Sequence, residues 1–385
     1  MSSRIYLDNN ATTCVDPRVL EAMRPYFDEE YGNASSIHSF GTKARAALEE
    51  ARQQVALFLG AGSDEVLFTS GGTEADNLAL CGVARSLRSK GNHILISAIE
   101  HPAVLMAFDG MQDEGFRVTR LPVDREGRVR LEKVEDALSD QTALISLMMA
   151  NNETGTIQPV QEIASLARRK GILVHSDAVQ AAGKIPIDVG RLGVDLLSIS
   201  GHKFHGPKGV GALYVRQGVR LQPIMLGGGH ERGRRAGTEN VSGAVGLGEA
   251  CRVARQDLPE AAPRMSRLRN RLEEGILNKI PDTVVNGCRE NRTPQTSNVS
   301  FLGAEGESLL MALDLQGIAV STGAACHAGT VSASHVLTAM RLSRQTLQGA
   351  IRFSLSRFTT KDEIEKTLEV LPGVVKRARQ VAGRH

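Results

Sequence analysis

The feature that most constrains the fold is an alternation of short apolar segments with helical segments between Glu65 and Val215. The stretches between the apolar segments carry apolar residues at helical spacing, and several end in Lys or Arg followed by Gly, which is typical of helix C-termini. Near-continuous apolar strands joined by helices predict a mainly parallel, seven-stranded sheet covered on both faces, with ligands beyond the carboxyl ends of its strands. The seven segments are VLFTS, HILISA, RVTRLPV, ALISLMM, ILVHS, DLLSIS and GALYV.

The pattern changes near residue 260, where a long charged helix is predicted at 261–279. Further helices at 306–315 and 361–380, with strands in NVSFLG, GIAVS and AIRFSLS, predict a smaller α+β domain. A chain of 385 residues also exceeds the size at which one hydrophobic core stops growing. We therefore expect three parts: an N-terminal segment, 1–15, that joins the small domain, a large domain, 16–258, and a small C-terminal domain, 259–385.

Composition excludes several classes of protein. The formal net charge of +3, the absence of Trp and the presence of only four Tyr argue against a nucleic-acid-binding surface. Five cysteines without a CxxC spacing predict reduced thiols and no metal site. The N-terminus has no signal-peptide pattern and no run of about 18 apolar residues occurs, so we expect a cytoplasmic protein without a membrane anchor.

A lysine at the end of a predicted strand is the first candidate for chemistry. In SISGHKFHGPKGVGALY, at 198–214, Ser200, His202 and Lys203 enter a glycine-rich turn. A lysine in a confined site can lose its proton and form a Schiff base with an aldehyde, while hydroxyl and N–H groups nearby hold a phosphate. A solvated turn lysine is the alternative for Lys203, and Lys208 is the competing candidate, although its neighbours Pro207 and Gly209 favour a surface turn.

Two further segments place polar groups after strands. ILVHSDAVQAAGK presents Asp177 and then Gln180, and a buried acid there needs a partner such as a pyridinium nitrogen, unless Asp177 only caps a helix. FTSGGTEADNLAL, at 68–80, has a diglycine turn before a helix that begins near Thr73, where free N–H groups can bind a phosphate. Neither this segment nor the glycine-rich GGGHERGRRAGTEN, at 227–240, carries a nucleotide fingerprint.

These motifs occur with others in one order along nearly the whole chain, from YLDNNATT at 6–13 to IRFSLSRFTT at 351–360. In this order the sequence resembles the NifS/IscS-like cysteine desulfurases of the class V aminotransferase group. The resemblance implies the fold of fold-type I pyridoxal-phosphate enzymes and the removal of sulfur from L-cysteine. The motifs between the two ends are GNASS, TSGGTEADN, EHPAV, NNETG, HSDAVQ, SGHKFHGPKG, RAGTEN and an AAC loop.

The resemblance also assigns roles in binding pyridoxal 5′-phosphate. It implies that Lys203 forms the Schiff base, that His101 stacks on the ring and moves protons, and that Asp177 meets the pyridine nitrogen. A histidine that caps the helix after Pro102 is the structural alternative for His101. The other implied cofactor ligands are Gly72, Thr73, Asn152, Gln180, Ser200 and His202, with Thr238 contributed by the second subunit of a homodimer.

The same resemblance assigns the substrate carboxylate to Asn33, Asn152 and Arg352. The planar guanidinium fork of Arg352 suits a carboxylate because it can donate two parallel hydrogen bonds. Arg352 lies in AIRFSLS, whose alternation leaves open whether its side chain points inward or to the surface.

A cysteine decides between a desulfurase and another enzyme on this fold. Cys326 lies in STGAACHAGTVSASHVL, at 321–337, a run of small residues that predicts a mobile, exposed loop. The resemblance makes its thiolate the nucleophile that takes up sulfur as a persulfide, with His101 or His327 available to assist deprotonation. Cys81 and Cys251 are predicted to be small hydrophobic residues on apolar helix faces.

Three departures from the family pattern keep alternatives open. Ala34 stands where Pro is common, STGAAC replaces SSGSAC, and His327 follows the cysteine where Thr or Ser is usual. The AACH string resembles selenocysteine lyases, which makes that activity the first alternative. A catalytically silent scaffold for iron–sulfur assembly is the second, although intact Lys203, Asp177 and Cys326 argue against it. The expected partners are L-cysteine, a second copy of the chain and a sulfur-acceptor protein such as an iron–sulfur scaffold.

Overall fold

The computed structural model describes residues 4–322 and 333–382. The strands in these ranges form one large sheet, one three-stranded sheet and one two-stranded pair. They are β1 Ile5–Tyr6, β2 Val66–Thr69, β3 His93–Ser97, β4 Arg117–Leu121, β5 Thr142–Ser146, β6 Leu173–Asp177, β7 Leu196–Ser200, β8 Gly211–Val215, β9 Thr283–Asn286, β10 Thr296–Phe301, β11 Ile318–Ala319 and β12 Ala350–Ser354.

The α-helices cover the sheets and connect their strands. They are α1 Pro17–Met23, α2 Pro25–Asp28, α3 Ser39–Leu59, α4 Gly72–Leu87, α5 Pro102–Asp113, α6 Leu131–Ala137, α7 Val160–Arg169, α8 Val189–Leu192, α9 Val241–Lys279, α10 Gly306–Asp314, α11 His335–Ala339, α12 Arg344–Gln348 and α13 Lys361–Ala382. Short 3-10 turns lie at Ser63–Glu65, Gly201–Lys203 and Glu231–Gly233.

The large sheet has seven strands in the order β2-β8-β7-β6-β5-β3-β4. β8 is antiparallel to both of its neighbours, and the remaining pairs are parallel. Every residue of β3, β5, β7 and β8 is buried, as expected of strands covered on both faces. The prediction of a mainly parallel, seven-stranded α/β sheet is therefore confirmed.

Helices pack on this sheet through apolar faces. On α7, Val160, Ile163 and Leu166 recur at helical spacing and are buried, while the exposed face carries charged residues. α3 and α9 pack against each other on one side of the sheet, and α4 and α5 bury a separate apolar cluster on the other. These layers leave the carboxyl ends of the central strands as the edge at which polar side chains meet.

The smaller unit is built on the antiparallel sheet β12-β10-β9. Its core includes Leu272 of α9, Phe301, Phe353 and Leu371, and strand β1 joins this unit by pairing with β11 in parallel. The predicted helix at 261–279 begins earlier, at Val241, and runs through the expected boundary at residue 258. The division into domains at that position stays a prediction.

The cysteines of the described residues are unpaired. Cys251 is fully buried in the core, while Cys81 is half-buried on α4 and Cys14 is exposed. Burial raises the pKa of the thiols of Cys81 and Cys251, which keeps both protonated. Within 4–322 and 333–382, none of the helices combines the length and apolar character that crossing a bilayer demands.

Candidate active site

A cavity of about 210 Å³ opens at the carboxyl ends of the central strands. Strand β6 ends there with Asp177 and β7 with Ser200, while the N-terminus of α4 and the turn after β7 close the sides. Its position agrees with the expectation that ligands bind beyond the carboxyl ends of parallel strands. The residues lining it are Gly72, Thr73, Asp76, His101, Met148, Asn152, Asp177, Val179, Gln180, Ser200, His202 and Lys203.

Lys203 reaches this cavity from the 3-10 turn that follows β7. Its Nζ donates hydrogen bonds to the carbonyl oxygens of Asn10, at 2.6 Å, and Ala11, at 2.9 Å. Burial, followed by the positive charge of Arg352, lowers the pKa of the Lys203 amine to about 8. A lysine with such a pKa has a substantial neutral fraction near pH 8, which is the form that reacts with a carbonyl. The competing Lys208 is exposed.

Asp177 faces Lys203 from the end of β6. Its Oδ1 accepts a hydrogen bond of 2.8 Å from the N–H of Val179, so it caps the turn after the strand and also lines the cavity. Burial raises the pKa of Asp177, while the Val179 N–H and the charge of Lys203 oppose this shift. Asp76 of α4 is a second buried carboxyl group at this site. Burial and then the nearby charge of Asp177 raise the pKa of Asp76 well above its ordinary value. Asp177, which has the cation and the N–H donor, is the group that ionises more readily.

His101 combines the two interpretations that the sequence left open. It is the N-cap of α5, where its Nδ1 accepts a hydrogen bond of 3.1 Å from the N–H of Ala103, and its ring also lines the cavity. This bond assigns the ring proton to Nε2. Burial, then the charges of Lys203 and His335, lower the pKa of His101 to about 4. The imidazole is therefore neutral at neutral pH.

The N-terminus of α4 forms the end of the cavity suited to an anion. The first N–H groups of a helix have no acceptor within the helix, and its dipole favours negative charge. A Cβ atom at Gly72 would lie 2.8 Å from Cγ2 of Val179, so only glycine lets the backbone approach this closely. Thr73, Ser200 and His202 add polar groups around it.

Arg352 points inward from β12 and is almost completely buried. Its Nη1 donates to the carbonyl oxygen of Asn152 at 3.0 Å, and its Nη2 donates to Oδ1 of Asp8 at 2.7 Å. Its Nε is buried and has no hydrogen-bond partner within the described ranges. The guanidinium is thus held in place, and among the described residues its Nε–H has no acceptor. Asn152, whose carbonyl oxygen it contacts, lines the cavity.

Arg352 adjoins this cavity at Asn152 without lining it, and two other predicted residues, Asn33 and Thr238, do not line it either. Asn33 is exposed, and its side-chain oxygen accepts a hydrogen bond of 2.8 Å from the N–H of Ser35. Thr238 is also exposed and lines a separate groove with Arg235, which pairs with Glu74 at 2.8 Å. Cys326 lies outside the described residues. The roles predicted for Asn33, Thr238 and Cys326 stay predictions, as do those of the residues that line the cavity, and the role of Thr238 involves a second subunit.

Several residues of the cavity were not predicted from the sequence. Asp76 lies four residues after Gly72 on α4, so helical spacing from the glycine turn would have placed it on the same face. Met148 and Val179 follow strands β5 and β6 but carry no polar signal. The carbonyl oxygen of Asn10 accepts hydrogen bonds from Nζ of Lys203 and from Nε2 of Gln180, the latter at 2.9 Å. In the described part of the chain, no group of three or more His, Cys, Asp or Glu side chains could hold a metal ion.

Comparison with known proteins places this site in a family. The model of the class V aminotransferases matches residues 5–367. The chain is 47% identical over 384 residues to "Cysteine desulfurase IscS" of Clostridium botulinum (strain Hall), covering 99% of this chain and 97% of that protein.

Solved structures agree with this likeness. One described as "NIFS-LIKE PROTEIN" superposes with a TM-score of 0.92 at 42% identity, covering 97% of this chain and all of that one. Another, "SspA in complex with cysteine", has a TM-score of 0.81 at 36% identity, covering 92% of this chain and all of that one. The chain therefore belongs to the class V aminotransferase family and, within it, to the NifS/IscS-like cysteine desulfurases.

Proposed function

We propose that this enzyme removes the sulfur of L-cysteine, releases L-alanine and holds the sulfur as a persulfide on Cys326. The observation that carries the proposal is the half-buried Lys203, which lines one cavity together with the carboxyl group of Asp177 and the N-terminus of α4. The relative whose structure is described as a complex with cysteine supports the choice of substrate.

The cavity fits pyridoxal 5′-phosphate, the cofactor of this family. The amine of Lys203 would bind its aldehyde carbon, the N-terminal N–H groups of α4 would hold its phosphate, and the carboxylate of Asp177 would meet its ring nitrogen. The side-chain oxygen of Gln180 is buried without a hydrogen-bond partner among the described residues, which a polar ligand would supply. When bound, the protonated ring withdraws electrons from the substrate Cα.

The protein's own groups then orient the substrate and move protons. Arg352 would bind the substrate carboxylate through its fork, whose orientation Asp8 and the Asn152 carbonyl fix. The amine of Lys203, with its pKa lowered to about 8, and the neutral imidazole of His101 are the two bases placed to accept the Cα proton.

Sulfur transfer requires a thiolate. Sγ of Cys326 forms a bond to the substrate sulfur while the bond between that sulfur and the substrate Cβ breaks, and the electron pair of the broken bond remains with the carbon skeleton. The skeleton then gains a proton at Cβ and leaves as alanine. The persulfide sulfur is available to an acceptor protein, for which an iron–sulfur scaffold is the expected class.

We further propose that the enzyme acts in the cytoplasm as a homodimer in which Thr238 of one subunit completes the phosphate site of the other. The exposed position of Thr238, outside the cavity of its own chain, supports this arrangement. Sedimentation of the purified enzyme should give a dimer, and a fully active monomer would contradict the shared site.

Alanine formation by the purified, cofactor-loaded enzyme tests the proposed reaction. L-cysteine should yield alanine and protein-bound sulfur in equal amounts during the first turnover. L-selenocysteine, assayed in parallel with wild type and Cys326→Ala, addresses the lyase alternative. Cleavage of selenocysteine alone, independent of Cys326, would replace the desulfurase by a lyase, and no cleavage of either amino acid would favour the silent scaffold.

A further inference from the structure

We infer that Lys184 is a positioning residue for Lys203: it holds the backbone of Lys203 through that residue's carbonyl oxygen, so that the reactive amine stays directed into the cavity. The inference rests on the proposed role of Lys203. It concerns a lysine that the proposed reaction itself does not use.

The contact is short and enclosed. Nζ of Lys184 donates a hydrogen bond of 2.6 Å to the carbonyl oxygen of Lys203, and only 3% of the Lys184 surface is exposed. Long charged side chains are rarely buried to this extent unless they have a specific partner. The carbonyl lies at the base of the Lys203 side chain, at the end of the 3-10 turn that presents it.

The surrounding turn explains how a lysine comes to lie there. Gly183 has a φ of +70°, a conformation that favours glycine, and an added Cβ would lie 2.6 Å from Cβ of Phe204. This close approach packs the segment before Lys184 directly against the segment after Lys203. Phe204 is fixed in turn by stacking on Phe58, with ring centroids 5.7 Å apart.

The surroundings of Lys184 allow its amine to be either neutral or charged near neutral pH. Burial, then the positive charges of Lys203 and Arg357, lower the pKa of Lys184 to about 7. The nearby His202 and His205 are neutral near pH 7, because burial lowers the pKa of His202 to about 4 and that of His205 to about 3. Both the neutral and the charged amine donate the hydrogen bond, so the anchor holds in either state.

Two substitutions separate the hydrogen bond from packing. Lys184→Met keeps the length of the side chain but removes the donor, whereas Lys184→Gln is shorter and retains an N–H donor. Lys170→Met, at the exposed end of α7, is the matched surface control. Each full-length holoenzyme is assayed for kcat and KM with L-cysteine, for the rate of cofactor loss on dilution and for its melting temperature.

In Lys184→Met the carbonyl oxygen of Lys203 loses its hydrogen-bond donor. We therefore expect kcat to fall roughly 10-fold and the cofactor to dissociate roughly 10-fold faster. KM should stay near the wild-type value because Arg352 is not affected, and Lys184→Gln should recover most of both losses. If Lys184→Met does not fold, a wild-type kcat in Lys184→Gln still supports the anchor.

Wild-type kcat and cofactor retention in Lys184→Met would overturn the inference. So would a folded Lys184→Gln as impaired as Lys184→Met, since packing and not the donor would then matter. A separate experiment tests the proposed function. If Lys203→Ala keeps the visible absorption of the bound cofactor, the proposed role of Lys203 is wrong, independently of the results for the Lys184 variants.

Discussion

Replacing Arg352 by lysine removes the guanidinium fork but keeps the positive charge, so the substitution tests the contribution of the fork alone. The side chain is only 5% exposed and is oriented by Asp8, at 2.7 Å, and by the carbonyl of Asn152, at 3.0 Å. Lysine keeps a positive charge opposite the half-buried Asp8, so the Asp8 carboxylate keeps an ion-pair partner, but lysine cannot donate two parallel hydrogen bonds.

The expected magnitude follows from the bond that is lost. A hydrogen bond to a charged group contributes about 1.5–3 kcal/mol, which corresponds to roughly a 10- to 150-fold fall in kcat/KM for L-cysteine, at 1.4 kcal/mol per factor of ten. Most of the effect should appear in KM, because the carboxylate is bound in both the ground state and the transition state.

A ligand without a carboxylate provides the control. Binding of L-cysteine and of cysteamine is followed through the absorption of the bound cofactor in wild type and in Arg352→Lys. The variant should bind cysteamine as well as wild type does and L-cysteine less tightly. Equal losses for both ligands, or an unchanged KM for L-cysteine, would refute the assignment of Arg352 to the carboxylate.

Three other predictions follow from the buried groups. Lys203→Ala should lose the visible absorption of the bound cofactor and all turnover, whereas exposed Lys208→Ala should keep both; the reverse result in absorption spectra would move the assignment to Lys208. Cys251→Ala should lower the melting temperature, because it leaves a cavity in the core, but should keep turnover per folded molecule; a loss of turnover at full folding would contradict this. Burial raises the pKa of Glu100 to about 8, above its ordinary 4.5, so the folded state binds a proton that the unfolded state lacks between these values. The contribution of Glu100 to the stability of the folded state therefore falls as pH rises. From pH 5 to 8, the free energy of unfolding of Glu100→Gln should increase relative to that of wild type by up to about 1.4 kcal/mol per pH unit. A difference between the two proteins that does not change with pH in denaturant melts would contradict the raised pKa.

The sequence predicted those parts of the fold that local patterns determine. The predicted runs agree with strands β2 to β8 to within three residues at each end, because most of these strands are buried on both faces and therefore leave uninterrupted apolar stretches. The order β2-β8-β7-β6-β5-β3-β4 could not be read in this way, since it depends on pairings between distant segments.

Helix α9 shows where propensity misleads. The sequence predicted a helix from residue 261, but the helix starts at Val241 and includes glycines at 243, 246 and 248 and prolines at 259 and 263. Glycine and proline disfavour helices in isolation. Packing against α3 buries the glycine-containing part, and this tertiary contact outweighs the weak local preference.

The candidate site was predictable where a polar residue follows an apolar strand, as with Asp177 and Lys203. His101 needed the family resemblance, because a helix-capping histidine explains the same sequence, and the structure shows that it caps α5 and lines the cavity at once. Asp76 was open to prediction from its helical spacing after Gly72, whereas Lys184 could not be found from pattern alone, because its partner, the carbonyl of Lys203, is distant in the chain.

Mass spectrometry of the enzyme after turnover with L-cysteine tests the central claim most directly. We expect one added sulfur atom on the peptide containing Cys326. In Cys326→Ala we expect unchanged cofactor absorption and cysteine binding, with no persulfide and no alanine. Sulfur mapped to Cys14, Cys81, Cys251 or Cys288 instead, or alanine formed by Cys326→Ala at the wild-type rate, would contradict it.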